Sequence, residues 1–371
     1  MHNNAQKVLQ ICSYYVGSHL YQNLFDAVER QGLKEDIYVF THKGNAVGKP
    51  KAINVYLCHC YNKWERYIFS LKHKRVVDDA ISRFNFEDYY LSHAHSLFSN
   101  GYVAHQINRM YGLPYVVAVR NTDINLFFQK MIHLRPLGLR IMLNAEKIIF
   151  ISKPYKEETI RRFIPSKHRE YIAGKSIVIP NGVDSFWHQN KIQLGKERDP
   201  GVVKLLHVGN IDRNKNVETT INACKILISQ GLNINFTVVG KIKNQKLKTL
   251  ISHYPFIRHI PFCTKENLIN HYRKAHILVM PSKNETFGLV YAEAMTQSLP
   301  VIYTRGQGFD GQFKEGEVGY SVNYNSPNEI AQRIKDILVN YNAISSMALT
   351  KSYKFDWDLI AGDYLEIYKK L

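Results

Sequence analysis

Residues 277–303, ILVMPSKNETFGLVYAEAMTQSLPVIY, indicate the fold of this chain. The stretch opens on a short apolar run that is typical of a buried strand, and Pro281 ends that run. A polar turn follows, and we expect a helix to begin near Phe287-Gly288-Leu289. Residues 301–303 form a second apolar run after Pro300. The stretch therefore predicts strand, loop, helix and strand, which is the repeating unit of parallel sheets.

Two carboxylates in this stretch form a candidate ligand site. Glu285 lies in the predicted loop and Glu293 lies in the predicted helix, eight positions later. The free N–H groups at the start of a helix, together with the helix dipole, favour a bound phosphate. A carboxylate on each side could hold the hydroxyls of a sugar and of a ribose, so the pattern suits a nucleotide sugar. On spacing alone, two surface glutamates on an ordinary strand–loop–helix unit explain it equally well.

Length and composition favour a two-domain globular protein. A length of 371 residues exceeds the usual size of a single domain. The hydrophobic fraction of 45% is enough for two cores. No apolar stretch approaches the roughly 20 residues needed to span a bilayer, and the first residues lack the pattern of a secretion signal. Five scattered cysteines favour a reduced, cytoplasmic interior over a disulfide framework.

The net charge of +18 predicts an anionic partner. Residues 1–180 hold 25 basic and 14 acidic side chains, which gives 25 − 14 = +11 for the first half. Residues 63–75, KWERYIFSLKHKR, would place four apolar side chains on one face of a basic helix, namely Trp64, Tyr67, Ile68 and Leu71. Such a helix can lie on an anionic membrane surface, although the same apolar stripe also fits a protein core. No zinc finger or RNA-binding motif is present, so we expect no nucleic acid partner.

Short apolar runs alternate with helical patterns along the chain. In the first half the predicted strands are 7–12, 37–41, 52–57, 89–92, 115–119 and 145–151. A Pro-Asn-Gly turn at 180–182 and a polar stretch at 188–201 interrupt the alternation, which then restarts. The fold class that this order predicts is α/β, with two doubly wound, Rossmann-like parallel-sheet domains facing an interdomain cleft.

These residues resemble the retaining glycosyltransferases of the GT-B fold, family GT4 (glycosyl transferases group 1). Residues 281–302 are similar to the E-x7-E donor-sugar signature of that family, with Glu285 and Glu293 as the two acids. Residues 207–216, HVGNIDRNKN, resemble its glycine–arginine loop followed by lysine. The resemblance implies an acceptor-binding domain at 1–183, a nucleotide-sugar donor-binding domain at 184–351, and a final helix at 352–371 that packs back across the domains.

The resemblance also implies the roles of individual residues in the donor domain. Lys215 would neutralise the donor diphosphate, and Gly209 would let the main chain approach it closely. The main-chain amides of Phe287, Gly288 and Leu289 would hold the phosphates. Stabilisation of the leaving group by a lysine and helix-start amides needs no metal, so we expect neither a metal nor a cofactor.

The carboxylates and the base site follow from the same comparison. Glu285 would bind the donor sugar near its reacting carbon, and Glu293 would bind the ribose hydroxyls. Pro261 and Phe262 would border the nucleotide base. A glycoside hydrolase, which also uses paired carboxylates, is disfavoured because the phosphate site and the lysine are typical of a transferase.

Two positions depart from the family pattern. The usual arginine after the loop glycine is Asn210 here, and Arg213 is the candidate to replace it. The usual histidine and glycine of the acceptor domain are replaced by Arg120 and Asn121. Because a guanidinium stays protonated, Arg120 cannot act as a base but can bind a phosphate or sugar hydroxyls.

On the acceptor side, Asp123 becomes the candidate that orients the acceptor hydroxyl. The other predicted acceptor-binding residues are Gly17, His93 and His95. For each histidine, a structural hydrogen-bonding role is an open alternative.

The sequence therefore predicts a cytoplasmic enzyme, peripheral on the inner face of the membrane. It would move a hexose or N-acetylhexosamine from a nucleotide sugar, most often UDP-linked, to a glycan or lipid-linked glycan in surface polysaccharide synthesis. Two alternatives stay open: a catalytically silent GT-B module that binds glycan or protein, and a nucleotide-sugar epimerase on the same fold.

Overall fold

The computed structural model describes residues 7–45, 54–193 and 201–371, which form two compact units. The first unit contains the described residues up to Ile151, then Tyr155–Pro180 and Trp357–Leu371. The second contains Ser152–Pro154 and the described residues of Asn181–Asp356. The predicted strand at 52–57 and the polar stretch at 188–201 each lie partly outside the described residues.

The first unit is built on a seven-stranded parallel sheet. Its strands are β1 Lys7–Ile11, β2 Glu35–His42, β3 Val55–Tyr61, β4 Tyr89–Ala94, β5 Tyr115–Val119, β6 Lys147–Phe150 and β7 Ser176–Val178. Their order is β3-β2-β1-β4-β5-β6-β7. The direction of winding reverses between β1 and β4, so this is a doubly wound sheet.

Helices cover both faces of this sheet because the connections between its parallel strands must cross over. They are α1 His19–Arg30, α2 Phe69–Arg83, α3 Ser99–Tyr111, α4 Arg135–Asn144, α5 Lys153–Phe163 and α6 Ser166–Gly174. The central strand β5 is buried on both faces, as its continuous apolar run predicts, whereas the edge strand β3 is partly exposed.

The single basic helix predicted at 63–75 is wrong in one respect. Residues Lys63–Tyr67 form a short 3-10 turn, and α2 begins only at Phe69, because Ile68 between them is extended. The buried carboxylate of Glu65 accepts the Asn62 N–H (2.6 Å), which caps the start of the turn, and pairs with Arg75 Nε of α2 (2.7 Å). The turn leaves Trp64, Tyr67 and Ile68 exposed.

The second unit repeats the architecture with six parallel strands. They are β8 Val203–Val208, β9 Ile234–Val239, β10 Ile257–Ile260, β11 Ile277–Val279, β12 Val301–Thr304 and β13 Gly319–Val322. Their order is β10-β9-β8-β11-β12-β13, with the reversal between β8 and β11. The predicted α/β class with two doubly wound parallel sheets is confirmed.

The helices of the second unit include the one predicted from residues 277–303. They are α7 Ser185–Gln189, α8 Val217–Ser229, α9 Gln245–His253, α10 Lys265–Lys274, α11 Leu289–Thr296, α12 Pro327–Val339 and α13 Tyr341–Lys351. The strand–loop–helix–strand prediction is confirmed as β11, α11 and β12, with α11 beginning at Leu289.

The last helix, α14 (Trp357–Lys369), belongs to the first unit. Trp357, Ile360, Tyr364 and Tyr368 are buried in the same apolar cluster as α1. Asp358 at the start of α14 pairs with Arg30 of α1 at 2.5 Å. The chain therefore returns to its first unit after completing the second.

Within the part of the chain that the structure describes, none of the helices is both apolar enough and long enough to cross a bilayer.

Candidate active site

The reversal of strand order in the second unit brings two loops together. The loop at 209–216 follows β8 and the loop at 280–288 follows β11, and these strands are neighbours. In doubly wound sheets, ligands bind at the carboxyl ends of the strands where the order reverses. Most of the predicted donor residues lie on these two loops.

Lys215 and Glu285 form an ion pair between the two loops. Lys215 Nζ lies 2.5 Å from Glu285 Oε2, and the side chains are 23% and 12% exposed. Asp212 Oδ1 accepts the main-chain N–H of Lys215 at 2.9 Å and so fixes the turn that carries the lysine. The pair shows that Lys215 is placed beside the carboxylate predicted to bind the donor sugar.

Asn214 joins the two loops directly, and sequence reasoning did not select it. Its carbonyl oxygen accepts the N–H of Lys283 at 2.8 Å. Its side chain accepts the N–H of Asn284 (3.0 Å) and donates to the Asn284 carbonyl (2.9 Å). Only the strand order, which sets the two loops side by side, could have revealed this contact.

The start of α11 has the properties of an anion site. Gly288 has a left-handed φ of 80°, and a Cβ there would lie 2.3 Å from the Tyr291 ring. Among the described residues, the N–H groups of Gly288 and Leu289 have no acceptor. Phe287 is buried against other aromatic rings, so it can serve a ligand only through its main chain. These free amides fit the predicted phosphate contacts.

The main chain of Glu285 is held by the loop after β12. Gln307 Oε1 accepts the Glu285 N–H at 2.8 Å, and the Gly308 N–H donates to the Glu285 carbonyl at 2.8 Å. A Cβ at Gly308 would lie 1.8 Å from the Thr286 carbonyl oxygen, so only glycine fits there. Gln307 and Gly308 are further site residues that the sequence did not reveal.

Gly209 and Gly240 let the loops after β8 and β9 meet. Gly209 has φ 144° and Gly240 has φ 141°, and a Cβ at Gly240 would lie 1.9 Å from the Gly209 carbonyl oxygen. The Gly209 N–H donates to the Val239 carbonyl at 3.0 Å. The Gly209 N–H is therefore not free for a ligand, and the close approach of the two loops depends on the missing side chain of Gly240.

Glu293 lies on α11 and accepts a hydrogen bond from the Tyr272 hydroxyl at 3.0 Å. Burial, together with the nearby Asp184 carboxylate, raises the pKa of Glu293 to about 7. Asp184 is itself paired with Lys265 at 2.8 Å. The carboxyl of Glu293 therefore changes protonation near neutral pH.

This raised pKa predicts a pH-dependent donor affinity. If the ionised form of Glu293 accepts the ribose hydroxyls, a UDP-sugar should bind about tenfold more weakly at pH 6 than at pH 8, since about nine tenths of the carboxyl is protonated one unit below its pKa. Titration calorimetry checks this, and Glu293→Gln should remove the dependence. An unchanged slope in that variant would assign the pH effect to another group.

The remaining donor candidates follow β8 and β10. Asn210 and Arg213 are exposed. Pro261 and Phe262 follow β10, and the Phe262 side chain is 80% exposed. His259 Nε2 hydrogen bonds with the Gly240 carbonyl at 2.9 Å, which ties β10 to the loop beneath.

His207, at the end of β8, is completely buried and was not selected from the sequence. Burial and the neighbouring Lys215 charge lower the pKa of His207 to about 4. The imidazole is therefore neutral at physiological pH and does not compete with Lys215 for an anion.

In the first unit, Asp123 is buried and saturated by main-chain donors. Its carboxylate accepts the N–H of Leu97 (2.9 Å), Phe98 (3.1 Å) and Arg120 (2.8 Å). Burial raises the pKa of Asp123 to about 6, although these three donors oppose the rise. The contacts favour a positioning role for Asp123 over direct contact with an acceptor hydroxyl.

Arg120 is also enclosed. Its Nε donates to the His95 carbonyl at 3.4 Å, its guanidinium hydrogen bonds to Tyr364 of α14, and the Tyr21 ring lies 5.8 Å away. Only 9% of the residue is exposed. Arg120 thus ties the ends of β4 and β5 to α14 within the first unit.

The structure places His93 and His95, which were predicted to bind the acceptor, in the core of the first unit, and their acceptor role stays a prediction. Both are completely buried. His93 Nδ1 hydrogen bonds with the Tyr368 hydroxyl (2.6 Å), and His95 Nε2 with Gln10 Oε1 (2.9 Å). Burial lowers the pKa of His93 to about 3 and that of His95 well below its usual value. The two rings form a neutral network in the core and have no exposed surface for an acceptor.

Gly17 is the one predicted acceptor residue of the first unit that is exposed. It ends the short 3-10 turn Tyr15–Gly17 after β1, at the point where the strand order of the first sheet reverses. No atom lies within 4 Å of a Cβ added there. Its acceptor role stays a prediction.

Comparisons with known proteins agree with this architecture. Residues 189–351 match the sequence model of the family described as glycosyl transferases group 1. An uncharacterized glycosyltransferase of Methanocaldococcus jannaschii, MJ1178, is 28% identical over 290 residues, covering 76% of this chain and 75% of the relative.

Two solved structures share the fold. The lipopolysaccharide outer core galactosyltransferase WaaB superposes with a TM-score of 0.77 at 15% identity, covering 99% of this chain and 100% of that one. Anabaena Alr3699/HepE in complex with UDP superposes with a TM-score of 0.71 at 18% identity, with the same coverage. At these identities the likeness shows the fold alone.

Proposed function

We propose that this protein, whose residues 189–351 place it among the glycosyl transferases group 1 and whose fold is GT-B, is a retaining glycosyltransferase of the hexosyl type. It would move a hexose or N-acetylhexosamine from a nucleotide sugar to a glycan or lipid-linked glycan in surface polysaccharide synthesis. The observation that carries the proposal is the ion pair of Lys215 and Glu285, 2.5 Å apart on two adjacent loops.

The chemistry follows from the charges of these loops. When the bond between the sugar and the diphosphate breaks, its electron pair stays on the leaving phosphate oxygen. The Lys215 ammonium and the free N–H groups of Gly288 and Leu289 can stabilise that charge without a metal. Glu285 would hold the sugar hydroxyls near the reacting carbon, while Glu293 would hold the ribose.

The acceptor hydroxyl would attack on the face from which the diphosphate leaves, because the group is retaining. Its proton would pass to an oxygen of the departing phosphate. Arg120 and Asp123 enter this proposal as positioning residues, since both are buried and already hydrogen bonded.

UDP is the nucleotide we propose. The exposed Phe262 ring after β10 offers a flat surface beside the donor loops, and aromatic rings stack on any nucleobase. Support for UDP specifically comes from the similar Anabaena protein, whose structure holds UDP.

The membrane proposal rests on the first unit. Trp64 and Tyr67 are 55% and 74% exposed, and Lys63 and Arg66 beside them are exposed as well. Aromatic and basic side chains that are exposed together favour the surface of an anionic bilayer. We therefore propose a cytoplasmic protein that is peripheral on the inner face of the membrane.

A donor screen tests the proposal. We expect a UDP-sugar to raise the Tm and to be hydrolysed or transferred, whereas GDP- and ADP-sugars at the same concentration should have little effect. If no nucleotide sugar binds or turns over, the proposed activity is wrong. Turnover of a UDP-sugar to its epimer without an acceptor would favour the epimerase instead.

A further inference from the structure

A polar groove lies on the second unit, apart from the donor loops at 209–216 and 280–288. It has a volume of about 590 Å³ and runs between the face of β8, β9 and β10 and the end of α10. We call it the α10 groove. Its polar and charged lining is Lys204, Asn235, Thr237, Arg258, His271, Arg273, Lys274 and His276.

The lining of the α10 groove runs from Lys204, the second residue of β8, to Ile260, the last residue of β10. Gly209, which begins the first donor loop, follows the last residue of β8. Five residues of extended chain separate Lys204 from Gly209 by roughly 16 Å. No described residue of the loops at 209–216 and 280–288 lines the groove, so its cations are distinct from the site around Lys215 and Glu285.

Among the described residues, the positive charge in this groove is uncompensated. The described lining holds four fixed cations and no aspartate or glutamate, and the cations are Lys204, Arg258, Arg273 and Lys274. Across residues 7–45, 54–193 and 201–371, none of the four takes part in an ion pair. Arg273 donates to the neutral oxygens of Gln297 (3.0 Å) and Asn190 (2.8 Å), which leaves its charge unbalanced.

The helix dipole explains only part of this cluster. Basic residues in the last turn of α10 interact favourably with the negative end of the helix, and Arg273 and Lys274 lie there. Lys204 and Arg258 come from strands, so the dipole gives no reason for them. Burial and the charges of Lys274 and Arg258 lower the pKa of His271, so both cations lie close enough to this side chain to act on it. A bound anion would relieve the repulsion.

The floor of the groove adds hydrogen-bonding groups. The Asn235 amide and the Thr237 hydroxyl lie between the cations, and Thr237 is the direct neighbour of Arg258 across the sheet. A volume of about 590 Å³ is within the usual range for small ligands. Sugar hydroxyls can hydrogen bond with Asn235 and Thr237, while phosphate or carboxylate groups can pair with the four cations.

We propose that the α10 groove binds an oligosaccharide segment that carries phosphate or carboxylate groups, at a distance from the donor loops. The choice of a saccharide over a bare anion rests on the proposed glycosyltransferase function. The groove would hold an anionic stretch of acceptor or product glycan and raise the affinity of the protein for charged chains.

Calorimetry with defined probes tests this. We expect trigalacturonate to bind the wild-type protein, more weakly as salt rises, while neutral maltotriose does not bind the groove. Arg258→Ala/Lys274→Ala should weaken trigalacturonate binding at least tenfold. Lys246→Ala/Lys248→Ala removes the same charge from exposed positions of α9 and should change it less than twofold.

Several outcomes would overturn the proposal. One is that maltotriose binds as tightly as trigalacturonate. A second is that tripolyphosphate binds as tightly as trigalacturonate, which would show an anion site without saccharide recognition. A third is that the α9 control variant loses as much trigalacturonate binding as Arg258→Ala/Lys274→Ala. Lys274→Glu, at an exposed helix position, repeats the test if the double variant fails to fold. UDP-sugar binding is measured on the same samples. Its presence without trigalacturonate binding defeats the groove proposal alone, and its absence from the wild type defeats the transferase instead.

Discussion

Replacing Lys215 by alanine is expected to lower transferase turnover by about 10² to 10³-fold, the usual effect of removing one group that stabilises developing charge. The ammonium lies 2.5 Å from Glu285 and is fixed by the turn that Asp212 holds. In the proposed reaction it meets the negative charge that forms on the departing diphosphate. The loss should appear mainly in kcat, since an interaction that strengthens in the transition state acts there.

Lys283→Ala is the matched control for this prediction. Lys283 lies two residues before Glu285 on the same loop, is exposed, and uses its main-chain N–H rather than its side chain to contact Asn214. The Lys283→Ala variant removes the same charge from the same loop region as Lys215→Ala. Because the Lys283 side chain is exposed, we expect less than a threefold change in kcat. If both variants lose activity equally, the loss reflects a general electrostatic effect and the specific role proposed for Lys215 is wrong. If Lys215→Ala turns over normally, the proposed stabilisation is wrong.

The strand–loop–helix unit that carries the donor candidates could be predicted from the sequence because its information is local. Strand, loop and helix follow one another within residues 277–303, with Glu285 in the loop before Gly288 and Glu293 in the helix after it. The contacts that hold this unit are not local. Asn214 and Gln307 reach it from other loops, 70 and 22 residues away along the chain. Their positions depend on strand order, which no short pattern contains.

The burial of the acceptor candidates could not be predicted from the sequence, for the same physical reason. His93 and His95 alternate with apolar residues at the end of β4, a pattern that fits either a cleft or a core. The packing of α14 decides between the two, because its Tyr368, 275 residues away along the chain, hydrogen bonds with His93 in the core. Asp123 likewise looks like an available carboxylate until the loop at Leu97 supplies its donors. Burial of a polar residue is a tertiary property.

The pattern of basic residues at 63–75 did not predict how the main chain of this segment folds. Residues 63–75 were expected to form one amphipathic helix, yet the extended Ile68 divides the segment into α2 and a 3-10 turn that Asn62 and Glu65 cap. The division exposes the aromatic side chains that a continuous helix would have aligned in a stripe. Local side-chain to main-chain bonds can thus override a helical period.

Gly240→Ala is expected to destabilise the second unit by about 3 kcal/mol or more, because it combines a left-handed main chain with a direct clash. At φ 141° the new Cβ would lie 1.9 Å from the Gly209 carbonyl oxygen. Both neighbouring groups are main chain, so the loops after β8 and β9 must separate. That separation would displace Gly209 and the turn that carries Lys215, so donor binding should fall with stability.

Gly231→Ala isolates the contribution of the backbone conformation. Gly231 also has a left-handed φ, of 89°, but no atom lies within 4 Å of a Cβ added there. We expect about 1 kcal/mol of destabilisation and unchanged donor affinity, because the turn between α8 and β9 lies far from the donor loops along both elements. Thermal unfolding should show a fall in Tm of roughly 2–4 °C per kcal/mol for a unit of this size. If the two variants lose stability and UDP-sugar affinity to the same extent, the close approach of Gly240 to Gly209 is not what holds the donor loops together.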